Sequence, residues 1–404
     1  MSLIVKKFGG SLLSSTEKII QIAKKIAKSY NEGNDIVVIV SAMGDETDRL
    51  IELAGKISSN PSAREYDVLV SSGEQVSCAL LAIALIDLRC SAYSYLGWQI
   101  GIKTDGINKN AEILQIDSTL LKTNIAQRKI SIIAGFQGID KDNNITTLGR
   151  GGSDATAVVI ASSLQADICK IYTDVDGIYS VDPKLISNAK KFSKISYDQM
   201  LMLANGGAQV MQPYAVEIAK KYNVHIQVAL GSSDGNNGTL ISPIAHENNN
   251  QLLLGISVSK NNSMFSLELP LANGNVLLKL LDNLKKAQVE ISILKNQKNP
   301  ITRTSKLVFT SSNKNHLHIL EHISNQPKYR KLIDFKINKN ISMLNFVGIK
   351  KEHLTEILNL VKRILVKENI GIYFVKIYNL SIVVIISEDS LKHALHCLST
   401  ALAK

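Results

Sequence analysis

The run Ile36 to Val40 (IVVIV) is apolar at every position, the pattern of a strand buried on both faces, and so of a parallel sheet sandwiched between helices. The residues before it agree. Leu3 to Phe8 is mostly apolar, Gly9-Gly10-Ser11 follows, and Ile19, Ile22, Ala23, Ile26 and Ala27 recur at helical spacing, with Ser14 and Glu17 placed as a capping box. Further strands are expected at 131–134, 169–173 and 225–230, and helices at 47–57, 73–88, 154–165 and 207–222. A strand, a glycine turn and a helix in repeated alternation predict an α/β domain.

The polar stretches Ser232 to Gly238 and Glu247 to Gln251 mark a boundary, which places the first domain at 1–245. Beyond it the order strand, helix, strand, strand, helix occurs twice, predicting two βαββαβ modules within 252–404. The first covers about 264–340, and the second combines 252–260 with 341–404. A chain of 404 residues with 45% hydrophobic content has material for both cores.

The net charge of +11 raises the question of nucleic acid. All the excess lies in 246–404, with 22 Lys and Arg against 11 Asp and Glu, the first 245 residues balancing at 24 of each. The lysines there are dispersed through helical stretches without a recognition motif, so a solvated surface explains them and no nucleic-acid partner is expected. Four scattered cysteines without metal-ligand spacing read as reduced thiols. Lys6 and Lys7 precede any apolar run, and Val76 to Leu88 is too short to span a bilayer, so the expectation is a cytoplasmic chain with no membrane partner.

Three segments carry chemistry. Lys7-Phe8-Gly9-Gly10-Ser11 ends a strand and opens a helix, where glycines let backbone N–H groups approach phosphate oxygens and a lysine can neutralise a group in transfer. Alone it also fits a tight turn beside a surface lysine. Gly149 to Asp154 (GRGGSD) precedes a helical run and sets an arginine suited to a bidentate carboxylate grip among three glycines. Asp154 there equally suits ordinary helix-start chemistry. Thr173 to Tyr179 (TDVDGIY), followed by Asp182-Pro183-Lys184, lies at the carboxyl end of an expected parallel strand, where ligands of open α/β sheets bind. No Walker-type loop, EF-hand ladder or nucleophile elbow is present.

In this order these segments resemble the aspartate kinases of the amino-acid kinase superfamily. KFGGS at 7–11, SAMGDETD at 41–48, SSGE at 71–74, FQGID at 136–140, TTLGRGGSDAT at 146–156 and YTDVDGIYSVDP at 172–183 carry the likeness. Acetylglutamate and glutamate 5-kinases share the first glycine turn but not GRGGSD with tandem modules. The resemblance implies an amino-acid kinase fold followed by two ferredoxin-like ACT modules, and transfer of the γ-phosphate of ATP to the side-chain carboxylate of L-aspartate. The product would be 4-phospho-L-aspartate, the entry to diaminopimelate, lysine, threonine and methionine.

It further implies Lys7 and Asp154 as catalytic residues. Aspartate would be held by Ser41, Thr47, Glu74, Arg150 and Ser153, and ATP by Lys7, Gly9, Gly10, Ser11, Thr173, Asp174, Tyr179 and Lys184. Mg²⁺ would ride on the ATP phosphates without dedicated protein ligands, and the ACT modules would hold a homodimer or a dimer of dimers. Departures from the family are Leu12, Glu46 and above all Gln209, where a lysine usually approaches the ATP phosphates. Ala272-Asn273-Gly274, Glu290, Ser292 and the turn near Lys350 and Lys351 lack the effector-binding residues usual in ACT modules, which predicts weak or absent inhibition by lysine or threonine. These departures suggest a rival, a catalytically weakened amino-acid-binding regulatory protein. Retention of Lys7, Thr47, Glu74, Arg150 and Asp154 argues against it.

Overall fold

The structure is a computed structural model describing residues 2–186, 188–208, 210–233, 235, 237–243, 253–271, 274–287, 289–324, 334–378 and 380–402. It divides into two compact units. Unit 1 comprises Met1–Tyr179, Lys190–Asn205 and Gln209–Asn249, and unit 2 comprises Ser180–Ala189, Gly206–Ala208 and Asn250–Lys404.

Unit 1 contains strands β1 (Leu3–Phe8), β2 (Asp35–Val40), β3 (Ala92–Tyr95), β4 (Lys103–Thr104), β5 (Ile113–Gln115), β6 (Ile130–Ala134), β7 (Gln137–Ile139), β8 (Ile145–Thr147), β9 (Ile168–Thr173), β10 (Lys194–Ser196), β11 (Ile226–Leu230) and β12 (Thr239–Ser242). Its helices are α1 (Thr16–Asn31), α2 (Glu46–Ile57), α3 (Ala63–Val70), α4 (Ser72–Asp87), α5 (Thr119–Ala126), α6 (Gly152–Leu164), α7 (Tyr197–Asn205) and α8 (Pro213–Tyr222). The main sheet has the order β10-β12-β11-β9-β1-β2-β6-β3 and is parallel except where β11 meets β12. A smaller sheet has the order β5-β4-β7-β8.

The expected double-sided burial holds. Ile36, Val38 and Val40 join one core with Ile19, Ile22 and Ile26 of α1 and Leu81 and Leu85 of α4. Val37 and Ile39, pointing the other way, are also fully buried, and α6 packs against β1, β2 and β9. Phe8 stacks on Tyr172 of the neighbouring strand with ring centroids 4.8 Å apart, a contact that contributes about 0.5–1.5 kcal/mol beyond its buried area.

Three local expectations change. Ser15, not Ser14, caps α1 by accepting from the Lys18 N–H, while Ser14 Oγ accepts from Lys18 Nζ. The helix expected over 207–222 starts at Pro213, whose fixed φ suits a first helical position, and Gly207 sits at φ +109 outside it. Finally, α3 and α4 form a stretch, Ala63–Asp87, long and apolar enough to cross a membrane by length and composition. Half of its most apolar window is buried inside the protein, and α4 packs on α1, β3 and β6, as a core helix does.

Unit 2 is antiparallel, with β13 (Gly255–Pro270), β14 (Ser292–Asn299), β15 (Thr304–Ser312), β16 (Asp334–Val347), β17 (Ile372–Tyr378) and β18 (Ser381–Ser387). They form one sheet in the order β14-β15-β13-β16-β18-β17. Its helices are α9 (Gly274–Lys286), α10 (His316–Ser324), α11 (Leu354–Lys367) and α12 (Leu391–Leu402). The long pair β13–β16 runs through both halves, with register shifts between Ser259 and Met264. One core gathers Phe265, Leu267, Leu280 and Phe309, and another Leu344, Phe346, Val361 and Leu395. This is the ACT-like layer expected of the second region.

Candidate active site

At the carboxyl edge of the main sheet, β1 delivers Lys7 beside Ile39 of β2 and Ile171 of β9. Its Nζ lies 2.7 Å from Asp154 Oδ1, and the two side chains are only 12% and 9% exposed. Asp154 occupies the first turn of α6, where the helix dipole favours an anion. Oδ1 has no well-aligned hydrogen bond, so the contact is an ion pair that leaves Nζ free to turn toward another anion.

The glycines around this pair are required by close approach. A Cβ on Gly10 would lie 2.6 Å from the Ala42 carbonyl oxygen, and Gly10 accepts from the Gly44 N–H at 2.9 Å. Gly151, at φ +72, caps α6, and a Cβ there would come within 2.0 Å of Gln212. The 9–11 and 41–45 turns are thereby clasped together. Ser41 follows β2, its N–H donating to the Phe8 carbonyl at 3.2 Å, and Thr47 lies half-buried in the first turn of α2.

Glu74, in the first turn of α4, is 3% exposed and accepts the Ala42 N–H through Oε1 at 3.1 Å, while Oε2 has no partner. Burial pushes its carboxyl up to about 7, against the opposing pull of the Ala42 and Glu74 amides and of Lys7. A buried carboxylate with an open oxygen is suited to receive a cation. Ser153 abuts Gly135 at the end of β6, where an added Cβ would sit 2.8 Å from its Oγ. Next to it Phe136 is held at φ +70, its N–H donating to Thr156 Oγ1. Arg150 stands exposed in the turn before α6 and has no polar partner among the described residues.

On the other side of β1, Thr173 ends β9 and its Oγ1 donates to Asp174 Oδ1 at 3.2 Å. Tyr179 is not a free phenol, since its OH donates to Asp176 Oδ1 at 2.8 Å, and Lys191 holds the other oxygen at 2.9 Å. Lys184 falls in the 180–189 segment and hence in unit 2, with its N–H on Asp182 Oδ1. Leu12 packs against Gly231, and Glu46 is clamped by Arg49 through both oxygens. Gln209, Ala272 and Asn273 lie outside the described residues.

Two residues escaped the sequence reasoning. Asp67 is fully buried and accepts from Asn108 Nδ2, the Lys109 N–H, and the N–H and Oγ1 of Thr147, tying α3 to the strand that leads into GRGGSD. Lys6, 3% exposed, is brought down to about 7 by burial and by the nearby charges of Lys170 and Lys25. An Asp-to-Thr contact spanning 80 residues leaves no periodic signal, and a lysine inside a strand reads as surface until the sheet is assembled.

The chain is similar to known proteins in sequence and in fold. The profile of the amino acid kinase family matches residues 2–229. The chain is 39% identical to the aspartate kinase Ask_LysC of Stutzerimonas stutzeri, over 99% of this chain and 97% of that one. It is 50% identical to aspartokinase 2 of Bacillus subtilis over 241 residues, which are 60% of this chain and 59% of that one. In fold it is similar to E. coli aspartokinase III solved with aspartate and ADP, at a TM-score of 0.76 and 19% identity, covering both chains fully. The chain thus belongs to the aspartate kinases of the amino acid kinase family, enzymes that phosphorylate the side-chain carboxylate of aspartate from ATP.

Proposed function

We propose a division of this reaction among the residues at the sheet edge, and the buried Lys7–Asp154 pair carries it. Lys7 shields the charge shared between the γ-phosphoryl oxygens and the incoming carboxylate, and Asp154 holds the ammonium in place until the nucleotide arrives. The amides of Gly9, Gly10 and Ser11 cradle the phosphates, and Thr173, Asp174 and Tyr179 contribute to the nucleotide site. Arg150 takes the α-carboxylate of aspartate in a bidentate pair, the open oxygen of Glu74 takes its ammonium, and the hydroxyls of Ser41, Thr47 and Ser153 complete the pocket.

No base is required. The side-chain carboxylate is already ionised, so an oxygen attacks the γ-phosphorus in line, the bond to the β-phosphate oxygen breaks, and ADP leaves as 4-phospho-L-aspartate forms. Mg²⁺ enters on the nucleotide and supplies further charge neutralisation. The residues suit that arrangement, because Asp154 is already engaged by Lys7.

In the same reading, 1–245 is the catalytic domain and 252–404 a tandem ACT pair, with modules at 264–340 and at 252–260 plus 341–404, that holds a homodimer or a dimer of dimers in the cytoplasm. The reaction opens the route to diaminopimelate, lysine, threonine and methionine. E. coli aspartokinase III has been solved with lysine as well as aspartate. Here Glu290 and Ser292 are exposed where an effector module carries Asn and Asp, which supports weak or absent inhibition by lysine or threonine.

Substrate kinetics test the division. Arg150→Ala raises KM for aspartate by about 10- to 100-fold, the range of a lost charge-assisted pair, with kcat nearly unchanged. Equal losses in kcat and in ATP affinity would move Arg150 to the nucleotide.

A further inference from the structure

We propose that Glu368, His393 and Cys397 form a metal-binding site in unit 2, with a donor set suited to Zn²⁺. His393 and Cys397 are four residues apart on α12, which puts both side chains on one face of the helix. Glu368 closes α11, and Asn369, at φ +55, turns the chain away immediately after it. The carboxylate is thus presented from a second helix.

His393 Nε2 lies 3.1 Å from Glu368 Oε2, and Nδ1 lies 3.9 Å from Cys397 Sγ. One imidazole nitrogen, the sulfur and a carboxylate oxygen all fall within 4.8 Å of one another. Bonds of about 2.0–2.3 Å to a tetrahedral zinc put neighbouring donors about 3.2–3.8 Å apart. A modest turn of the His393 ring, which is 56% exposed, closes the set around one ion.

Chemistry selects the ion. A thiolate and an imidazole favour zinc over magnesium or calcium, so the site is independent of the Mg²⁺ that accompanies ATP. Thiolate and carboxylate together balance the two charges of the ion, and three protein ligands leave a position for water. Cys78, Cys90 and Cys169 are buried, which leaves Cys397 as the accessible thiol. The pair His353 and Glu356 in the same unit, 3.1 Å apart with no thiol in the pairing, supplies an internal control.

The test is zinc titration of the full-length reduced protein against a chromogenic chelator, with Co²⁺ as a spectroscopic stand-in. One Zn²⁺ per chain and a near-ultraviolet thiolate-to-cobalt band are expected. Both disappear in Cys397→Ser, and His393→Ala or Glu368→Gln weakens zinc by more than about tenfold, the least that a supporting group costs such a site. His353→Ala leaves binding unchanged. Alkylating the accessible thiol of the folded wild-type protein should abolish the band without any substitution. Absence of zinc binding, or a cobalt band that survives both Cys397→Ser and alkylation, overturns the proposal.

Discussion

In unit 1, Lys6, Asp67, Glu74 and Asp154 are all buried, three of them within or beside the glycine turns at the sheet edge. In unit 2, no Lys, Arg, Asp or Glu is buried among the described residues, and the buried polar groups are Ser, Thr, Asn and His. Taking a charge out of water costs several kcal/mol unless a partner compensates. A fold keeps such groups where chemistry needs them, and unit 1 does so along the edge where phosphoryl transfer is proposed. Unit 2 is specified by alternation and helical stripes, which many sequences satisfy.

The largest effect expected from that contrast is at Lys7. Lys7→Met lowers kcat by about 10²–10³, the scale of removing one preorganised stabiliser of developing charge, with little change in KM for aspartate. Asp154→Asn has the same direction and a smaller size, read from the same initial rates. A loss confined to KM would reduce the pair to a binding role.

Glu74 follows, with a pH signature. Its carboxyl is raised from 4.5 to about 7, so the stability it allows is complete below about 4.5 and is lost as pH rises through about 7, where the buried group ionises. Binding an ammonium requires the ionised form. KM for aspartate therefore climbs as pH falls below about 7, and Glu74→Gln raises KM by about tenfold while abolishing that slope. An unchanged KM–pH profile in Glu74→Gln would remove Glu74 from the ammonium.

Lys6 provides a stability test. Its pKa falls from 10.5 to about 7 on folding, so unfolding takes up a proton between those values; the destabilisation is complete below about 7 and fades as pH rises toward 10.5. Lys6→Met should raise stability in urea by on the order of a few kcal/mol at neutral pH and by much less near pH 10. A gain equal at both pH values would assign the effect to packing. The smallest effect belongs to unit 2, where millimolar lysine or threonine should change the rate less than about twofold. A saturating inhibition curve would show that effector recognition survives with different residues.

Strands β1, β2, β6 and β9 were legible because they are mostly apolar and most of their positions are buried on both faces. The short strands β3, β4, β5, β7 and β8 were not, since two to four residues such as Lys103–Thr104 carry no period. Helix α7 went unread beside a polar loop, and α8 was extended six residues too early because apolar spacing continues across Gly207 until Pro213 sets the first turn. At the site, motif residues such as Lys7 and Asp154 were legible because glycine turns flank them. Lys6 and Asp67 take their character from burial by distant elements, and no local pattern encodes that.

The most direct test of the account is an ATP- and Mg²⁺-dependent hydroxamate assay with aspartate, glutamate and N-acetylglutamate, run on the wild-type chain and on Lys7→Ala. The account predicts acyl phosphate from aspartate alone, nearly abolished in the variant. No product from aspartate, or equal rates in the two proteins, would contradict it.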